Sequence, residues 1–355
     1  MSVKGSQAGY RTGGDPYGFH RSLSPKGVLP QQADVVDASW PLYDNEIGIE
    51  VLYLNIDSSS FRQMKEEAKG DTNKIQKLLL ETVKKRGKQQ NPVTGSGGML
   101  VGKVLDVGSA LKGKTSVRVG DTIATLVSLT LTPLEIQKVK SIHLESERIE
   151  IEGRAILFES GIYSKVPSDF SEQMSLAVLD VCGAPAQVFK KTNPHEKVAI
   201  LGGGGKSGFL SALAASQKLK NPKEDLYLFE LNPKICSELQ EFGFKNVYEL
   251  DTTNQKRVLD LSESVTQNTL FDFVVNCTNV QNCEPGAILM TKDKGRILFF
   301  SMATQFSRAA LISEGLGKEI ELYIGNGYTK GHAEFAFNLL RDDKKALHFF
   351  ERNFL

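Results

Sequence analysis

The stretch VAILGGGGKSGFLSA (residues 198–212) constrains this chain more than any other. An apolar run leads directly into four consecutive glycines and then into a helix-forming segment. That order reads as strand, tight turn and helix start, the arrangement that cradles phosphate on backbone N–H groups. Two nucleotide loops share the glycines. A P-loop, GxxxxGK[ST], uses Gly205, Lys206 and Ser207, but needs a glycine where Ile200 stands inside the strand. It also wants a strand that ends in Asp for Mg²⁺, and FDFVVNCT runs into Asn276.

The dinucleotide fingerprint GxGxxG fits better. Gly203 is expected to make the tight turn, Gly205 to let the pyrophosphate approach, and Gly208 to let helix and strand pack closely. Lys206 and Ser207 open the helix beside the phosphates. Glu230 closes the next strand, LYLFE, 22 residues after Gly208. The ribose-binding acid is expected about 20 residues on. A carboxylate there repels a 2′-phosphate, and the following LNP offers no Arg, so NAD is expected over NADP. Asn276 and Thr278 fall at the carboxyl end of a strand, the edge where such sheets receive cofactor. The competing reading of the glycines is a turn without ligand.

Around this motif the chain changes character. Before about residue 170, NEIGIEVLYLNID, MLVGKVLDVG, VRVGDTIATLVSLTLTP and RAILFESGIYSKVP are β-rich runs split by Gly and Pro. KKRGKQQ reads as a basic patch or, with better reason, as the solvated C-terminus of a helix. Beyond that point strands and helices alternate, which predicts a doubly wound parallel sheet. The expected class is α/β: a β-rich domain over 1–168, a Rossmann domain over 169–330, and a C-terminal helix over 331–355 that can pack back on the first domain.

With 355 residues and a net charge of +1, nothing favours nucleic acid as a partner. The four cysteines form no CxxC pair, so neither a zinc ribbon nor a disulfide framework is suggested. No run nears the ~18 apolar residues of a membrane span, and the N-terminus lacks a signal-peptide apolar core. A cytoplasmic protein without a membrane partner is expected.

NPVTGSGGMLVGKVLDVG followed by VRVGDTIA resembles the medium-chain dehydrogenases and quinone reductases, whose β-rich, GroES-like catalytic domain precedes a Rossmann domain. SPKGVLPQ, LNIDSSSF, RGKQQNPVTGSGGM, LVSLTLTPL, IEGRAILFESGIY and LDVCGAPAQV are more closely similar to the L-erythro-3,5-diaminohexanoate dehydrogenases of lysine fermentation. That resemblance implies NAD-dependent oxidative deamination of (3S,5S)-3,5-diaminohexanoate to 5-amino-3-oxohexanoate, ammonia and NADH; the superfamily resemblance implies a homodimer. It also implies a departure from zinc-dependent relatives. Asp57 stands for their ligand Cys, Ser96 for their ligand His, and Cys182 for the third ligand. Ser is a rare ligand, so no metal is expected.

An alkylammonium has a pKa of about 10.4, so a carboxylate or relay can deprotonate it without a Lewis acid. Asp57, Ser59 and Glu159 are the catalytic candidates. Ser96, Tyr163 and Asp180 are candidates for substrate contact, and Arg21 or Lys26 for holding the substrate carboxylate. Each has a plainer alternative: a capping Asp57, turn serines at 59 and 96, a structural ion pair at Glu159, a core or rim Tyr163, a helix-terminal Asp180, solvated cations. His20 reads as structural or as a base. Cys182 reads as a small buried residue near the nicotinamide. Two other functions stay open, a zinc-free quinone or alcohol reductase and a non-catalytic NAD-binding interaction protein.

Overall fold

A computed structural model describes residues 9–301, 303–324 and 327–355; the side chains of Ser58 and Ser59 lie outside the described part. The chain forms two compact units, Met1–Phe170 and Ser171–Leu355. Among the described residues, no helix is long and apolar enough to cross a membrane.

The first unit contains strands β1 (Ser22–Ser24), β2 (Val35–Val36), β3 (Glu46–Asn55), β4 (Met99–Val107), β5 (Thr122–Thr125), β6 (Leu134–His143), β7 (Arg148–Phe158) and β8 (Tyr163–Lys165). Helices α1 (Ser58–Glu67) and α2 (Thr72–Arg86) fall between β3 and β4. The main sheet runs β6-β7-β3-β4-β5-β8, and every pair in it is antiparallel. This is the β-rich domain that the short Gly-punctuated runs imply. α2 buries Ile75, Leu79 and Val83, spaced by four, on the core beside Ile49 and Leu134. Asp71 caps its start, and Lys84, Lys85 and Arg86 complement its C-terminal dipole. The basic KKRG is therefore a helix end, whereas Lys88 and Gln89 beyond it are buried, not solvated as expected. Gly87 terminates the helix at φ 68°, and an added Cβ would sit 2.1 Å from the Val36 carbonyl, so only glycine fits.

One polar anchor lies inside this unit. Arg21 is fully buried, and its guanidinium donates twice to Glu46, at 2.8 and 2.6 Å. Its remaining nitrogen donates to the Ser39 and Asp37 carbonyls. His20 Nδ1 accepts from the Asp15 N–H, so Nε2 carries the proton towards Glu46 Oε1 at 2.8 Å. This corrects the expectation that Arg21 holds a substrate carboxylate: its fork is already filled by Glu46, out of reach of solvent. His20 is structural on the same evidence. Burial by itself raises the Glu46 carboxyl, but the hydrogen bonds from Arg21 and His20 and the charge of Arg21 outweigh it and hold the pKa at about 2.

The second unit contains α3 (Glu172–Leu179), α4 (Gly183–Lys191), β9 (Val198–Leu201), α5 (Lys206–Lys218), α6 (Pro222–Asp225), β10 (Leu226–Glu230), α7 (Pro233–Phe242) and β11 (Asn246–Glu249). It continues with α8 (Gln255–Thr266), β12 (Phe271–Asn276), α9 (Glu284–Met290), β13 (Thr291–Phe299), α10 (Phe306–Gly315), β14 (Glu321–Ile324), α11 (His332–Arg341) and α12 (Lys344–Phe354). Its sheet is parallel in the order β11-β10-β9-β12-β13-β14. Numbered from β9, that is 3-2-1-4-5-6, the doubly wound Rossmann order. β9, between β10 and β12 at the centre of the sheet, is apolar and buried at all four residues, as a strand covered by helices on both faces must be. The last helices, expected as a segment able to return to the first domain, pack within this unit. α11 lies on α3, α4 and α5, and Phe349 of α12 stacks on Phe209 of α5 at 4.4 Å.

Because Glu46 is held below its unfolded value of 4.5, its contribution to stability is complete above about pH 4.5. It fades as pH falls towards 2. Melting temperature against pH is expected to lose part of its acid slope in Glu46→Gln. Arg21→Ala, which strands a buried carboxylate, is expected to cost about 3–5 kcal/mol at neutral pH. An unchanged acid slope in Glu46→Gln would contradict the anchor.

Candidate active site

The glycine turn sits where the strand order reverses, between β9 and β12. The left-handed residue is Gly202, at φ 73°, not Gly203 as the fingerprint spacing suggested. Gly203 instead lies against the Leu228 side chain. A Cβ on Gly208 would stand 2.0 Å from the Gly202 carbonyl oxygen, so the first turn of α5 presses directly on the loop. Gly205 differs: a Cβ there meets nothing nearer than 3.7 Å. It is the N-cap of α5 and makes no side-chain cap. Its open side and the orphan N–H groups beyond it, where Lys206 and Ser207 begin the helix, fit a pyrophosphate.

Glu230 ends β10 beside this turn. Its Oε2 accepts from the Gly204 N–H at 3.0 Å, and its Oε1 from Leu231 and Asn232 at 2.9 and 3.1 Å. Three backbone donors thus fix the orientation of the acid. Asn276 pairs with Leu201 across β12 and β9, and its Oδ1 accepts from the Thr278 N–H and hydroxyl. Thr278 lies against Gly202. The glycines, Glu230, Asn276 and Thr278 therefore converge on one edge.

Lys206 donates to Asp180 at 2.8 Å, with both side chains about a third exposed. Asp180 is the C-cap residue of α3. The pair ties the α3 terminus to the first residue of α5, so Asp180 is engaged by Lys206. Cys182 is buried and donates to the Leu179 carbonyl. Burial, reinforced by the charge of Asp180, pushes its thiol up to about 12, which keeps it protonated. Burial likewise pushes Cys277 up to about 11, against hydrogen bonds from Ser207 and Ser211.

In the first unit, Asp57 is the N-cap of α1 and accepts from the Ser60 N–H at 3.1 Å. The Ser60 hydroxyl contacts Thr94 at 2.6 Å and Ser96 at 2.7 Å, and Thr94 meets Ser96 at 2.9 Å. Asp57 and Ser96, expected at two zinc-ligand positions of relatives, are thus joined through Ser60. Among the described residues, no group of three or more His, Cys, Asp or Glu could hold a metal ion. Ser59 belongs to the same helix start, but its side chain lies outside the described residues.

Glu159 does not join this cluster. Phe158 pairs with Glu46, at the far end of β3 from Asn55. Ten residues at ~3.3 Å each set Glu159 on the order of 30 Å from Asp57. It is exposed and accepts from Asn45. The expected catalytic trio is corrected accordingly. The Tyr163 hydroxyl is taken up by Thr115 and Ser116, at 2.6 and 3.1 Å, while its ring packs on the core. Lys26 is exposed in the turn after β1. Sequence reasoning missed Ser60, Thr94 and Asn91. The signals were present: the third serine after a capping Asp, and the Asn-Pro turn in NPVT.

Two glycine variants separate the roles in this turn. Gly205→Ala enters open space and is expected to leave ligand-free stability unchanged while weakening NAD binding at least tenfold. Gly208→Ala forces α5 off the loop and is expected to lower stability by about 1–3 kcal/mol as well. Thermal shift with and without NAD reads both; full NAD binding by both variants would refute the assignment.

The L-erythro-3,5-diaminohexanoate dehydrogenase N-terminal domain family matches residues 20–167. An L-erythro-3,5-diaminohexanoate dehydrogenase of Acetoanaerobium sticklandii is 46% identical over 343 residues, 96% of this chain and 99% of the relative. One of Fusobacterium nucleatum is 48% identical over 330 residues, 93% of this chain and 95% of the relative. In fold, the chain is similar to a zinc-dependent alcohol dehydrogenase 2 from Streptococcus pneumonia. The TM-score is 0.52 at 13% identity, covering 89% of this chain and 90% of that one. The fold is that of the medium-chain dehydrogenases, as the glycine-rich strands implied. The chain is an oxidoreductase that belongs to the L-erythro-3,5-diaminohexanoate dehydrogenase family.

Proposed function

We propose that this enzyme oxidatively deaminates L-erythro-3,5-diaminohexanoate at C3 with NAD. The observation that carries the reading is the 46% identity, over 96% of the chain, to the Acetoanaerobium sticklandii dehydrogenase of that name. The overall change is R₂CH–NH₃⁺ + NAD⁺ + H₂O → R₂C=O + NH₄⁺ + NADH + H⁺. NAD, when bound, supplies the hydride acceptor. The N-terminus of α5 and the open side of Gly205 hold its pyrophosphate, and Glu230 its ribose. The negative charge of Glu230 supports NAD over NADP. Lys206, tethered by Asp180, adds a cation beside the phosphates.

Asp57 takes the proton from the substrate ammonium, so that the nitrogen lone pair can expel hydride from C3. The hydroxyls of Ser60, Thr94 and Ser96 orient that nitrogen. Amine oxidation needs no Lewis acid for this step, which accords with an Asp–Ser set standing where zinc relatives carry ligands. The four free thiols support a reducing, cytoplasmic setting. We read the enzyme as a homodimer whose partner is a small diamino acid, with no nucleic-acid or membrane partner.

NADH absorbance is expected to rise with the diamino acid, faster as pH approaches the amine pKa of about 10.4. Added chelator is expected to change nothing, and simple alcohols or quinones to give no turnover. An enzyme that oxidises alcohols but not the diamino acid would overturn the reading. Asp57→Asn keeps a good N-cap, so stability and NAD binding should persist while kcat falls by about 10²–10⁴. Wild-type kcat in that variant would remove Asp57 from the chemistry.

A further inference from the structure

The hydroxyl cluster spans a seam between two segments. Ser60 belongs to α1, whereas Thr94 and Ser96 belong to the loop over residues 92–98. Residues 92–95 are exposed, so little apolar burial holds this part of the loop, and hydrogen bonds must place it. Those bonds converge on Asn91, which is 1% exposed. Its Nδ2 donates to Gln63 Oε1 at 2.9 Å and, more distantly, to the Ser60 carbonyl at 3.4 Å. Its Oδ1 accepts from the Val93 and Thr94 N–H groups at 2.8 and 3.1 Å. Its backbone N–H donates to the Ser96 carbonyl, and its carbonyl accepts from the Gly95 N–H, both at 2.9 Å.

One buried amide therefore grips α1 with its donor and the loop with its acceptor. The stem beneath it is fixed independently. Lys88 is fully buried and donates to the Pro30 and Gln31 carbonyls. At the other end, Gly97 lies against the Gln89 carbonyl and the Thr130 N–H. Loss of the Asn91 amide leaves that stem and the two backbone bonds in place but releases the Val93 and Thr94 N–H groups and the tie to α1, so Thr94 and Ser96 lose their register against Ser60. Displacing catalytic groups by about 1 Å can cost up to 10²-fold in rate.

We propose that Asn91 is a positioning residue, which sets the register of Thr94 and Ser96 against Ser60 and so holds the hydroxyl cluster beside Asp57 in working geometry. The assignment rests on the functional reading given above, in which that cluster handles the substrate amine. It acts on the rate of the chemical step, not on capture of NAD.

Steady-state kinetics on the full-length enzyme, with L-erythro-3,5-diaminohexanoate and NAD, test it. Asn91→Leu removes donor and acceptor together and is expected to lower kcat about tenfold or more, with KM for NAD unchanged. Asn91→Asp keeps the acceptor for Val93 and Thr94, and Gln63 can turn its amide to donate at the expense of its exposed bond to Glu67, so part of kcat is expected to return. In an Asp57→Asn background, Asn91→Leu is expected to cost nothing further, because the two residues act through one cluster. Gln63→Leu removes the nearer of the two α1 acceptors and leaves Asn91 itself unchanged. It is expected to give a smaller loss of the same kind, and it serves if Asn91→Leu does not fold. Wild-type kcat in both leucine variants, or an equal fold-loss from Asn91→Leu in the two backgrounds, would overturn the assignment alone. Failure of the wild-type enzyme to oxidise the diamino acid would overturn the functional reading and this assignment with it.

Discussion

The hydrogen-bonded register of β3 governs the first unit. This ten-residue strand pairs with β7 on one side and β4 on the other. Its two ends therefore lie about 30 Å apart, and each has a distinct task. At the Glu46 end, burial drives a dense ionic anchor: a carboxylate with no solvent must find donors, and Arg21 and His20 supply them. At the Asn55 end, the chain leaves the sheet through Asp57, whose carboxylate caps α1. Gly98 lies against that exit, where a Cβ would stand 2.1 Å from the Asn55 carbonyl. The close approach leaves no room for a bulkier residue, and it brings the Ser96 loop to the start of α1.

The second unit obeys a different constraint. A phosphate site needs backbone N–H groups that nothing else satisfies. Gly208 lets α5 begin hard against the Gly202 carbonyl, while Gly205 leaves the approach open. Glu230 is held by three backbone donors before any ligand arrives, so little reorganisation is needed on binding. Protonated by burial, Cys182 offers a small neutral side chain instead of a thiolate. At the start of α1 the chain gathers the Asp57 carboxylate and the hydroxyls of Ser60, Thr94 and Ser96. In the proposed reaction, these are the groups that take the ammonium proton and orient the nitrogen.

The fold was largely legible in the sequence because its signals are local. Strand, glycine turn, helix and terminal Glu230 occur within some thirty residues, and each part has a backbone reason. KKRG read correctly as a helix end because dipole and glycine stop agree. The site was only partly legible, because distant pairings decide it. Arg21 looked like a free cation, since nothing nearby announces Glu46, 25 residues on, as its partner. Glu159 looked catalytic beside apolar residues, but only the register of β7 on β3 reveals which end of the sheet it occupies. Glycine spacing gave the turn to Gly203, and the backbone gives it to Gly202. Asn91 escaped notice because its importance lies in partners on both sides of a seam.

In the proposed reaction, hydride leaves C3 of the diamino acid once its ammonium is deprotonated. Deuterium placed at C3 of L-erythro-3,5-diaminohexanoate tests it most directly. Turnover with NAD should transfer the label to the reduced nicotinamide, read by mass spectrometry, with a normal primary isotope effect on kcat/KM once the chemical step is exposed at low pH. Reduced cofactor formed without the label would contradict the account, because oxidation would then occur at another carbon.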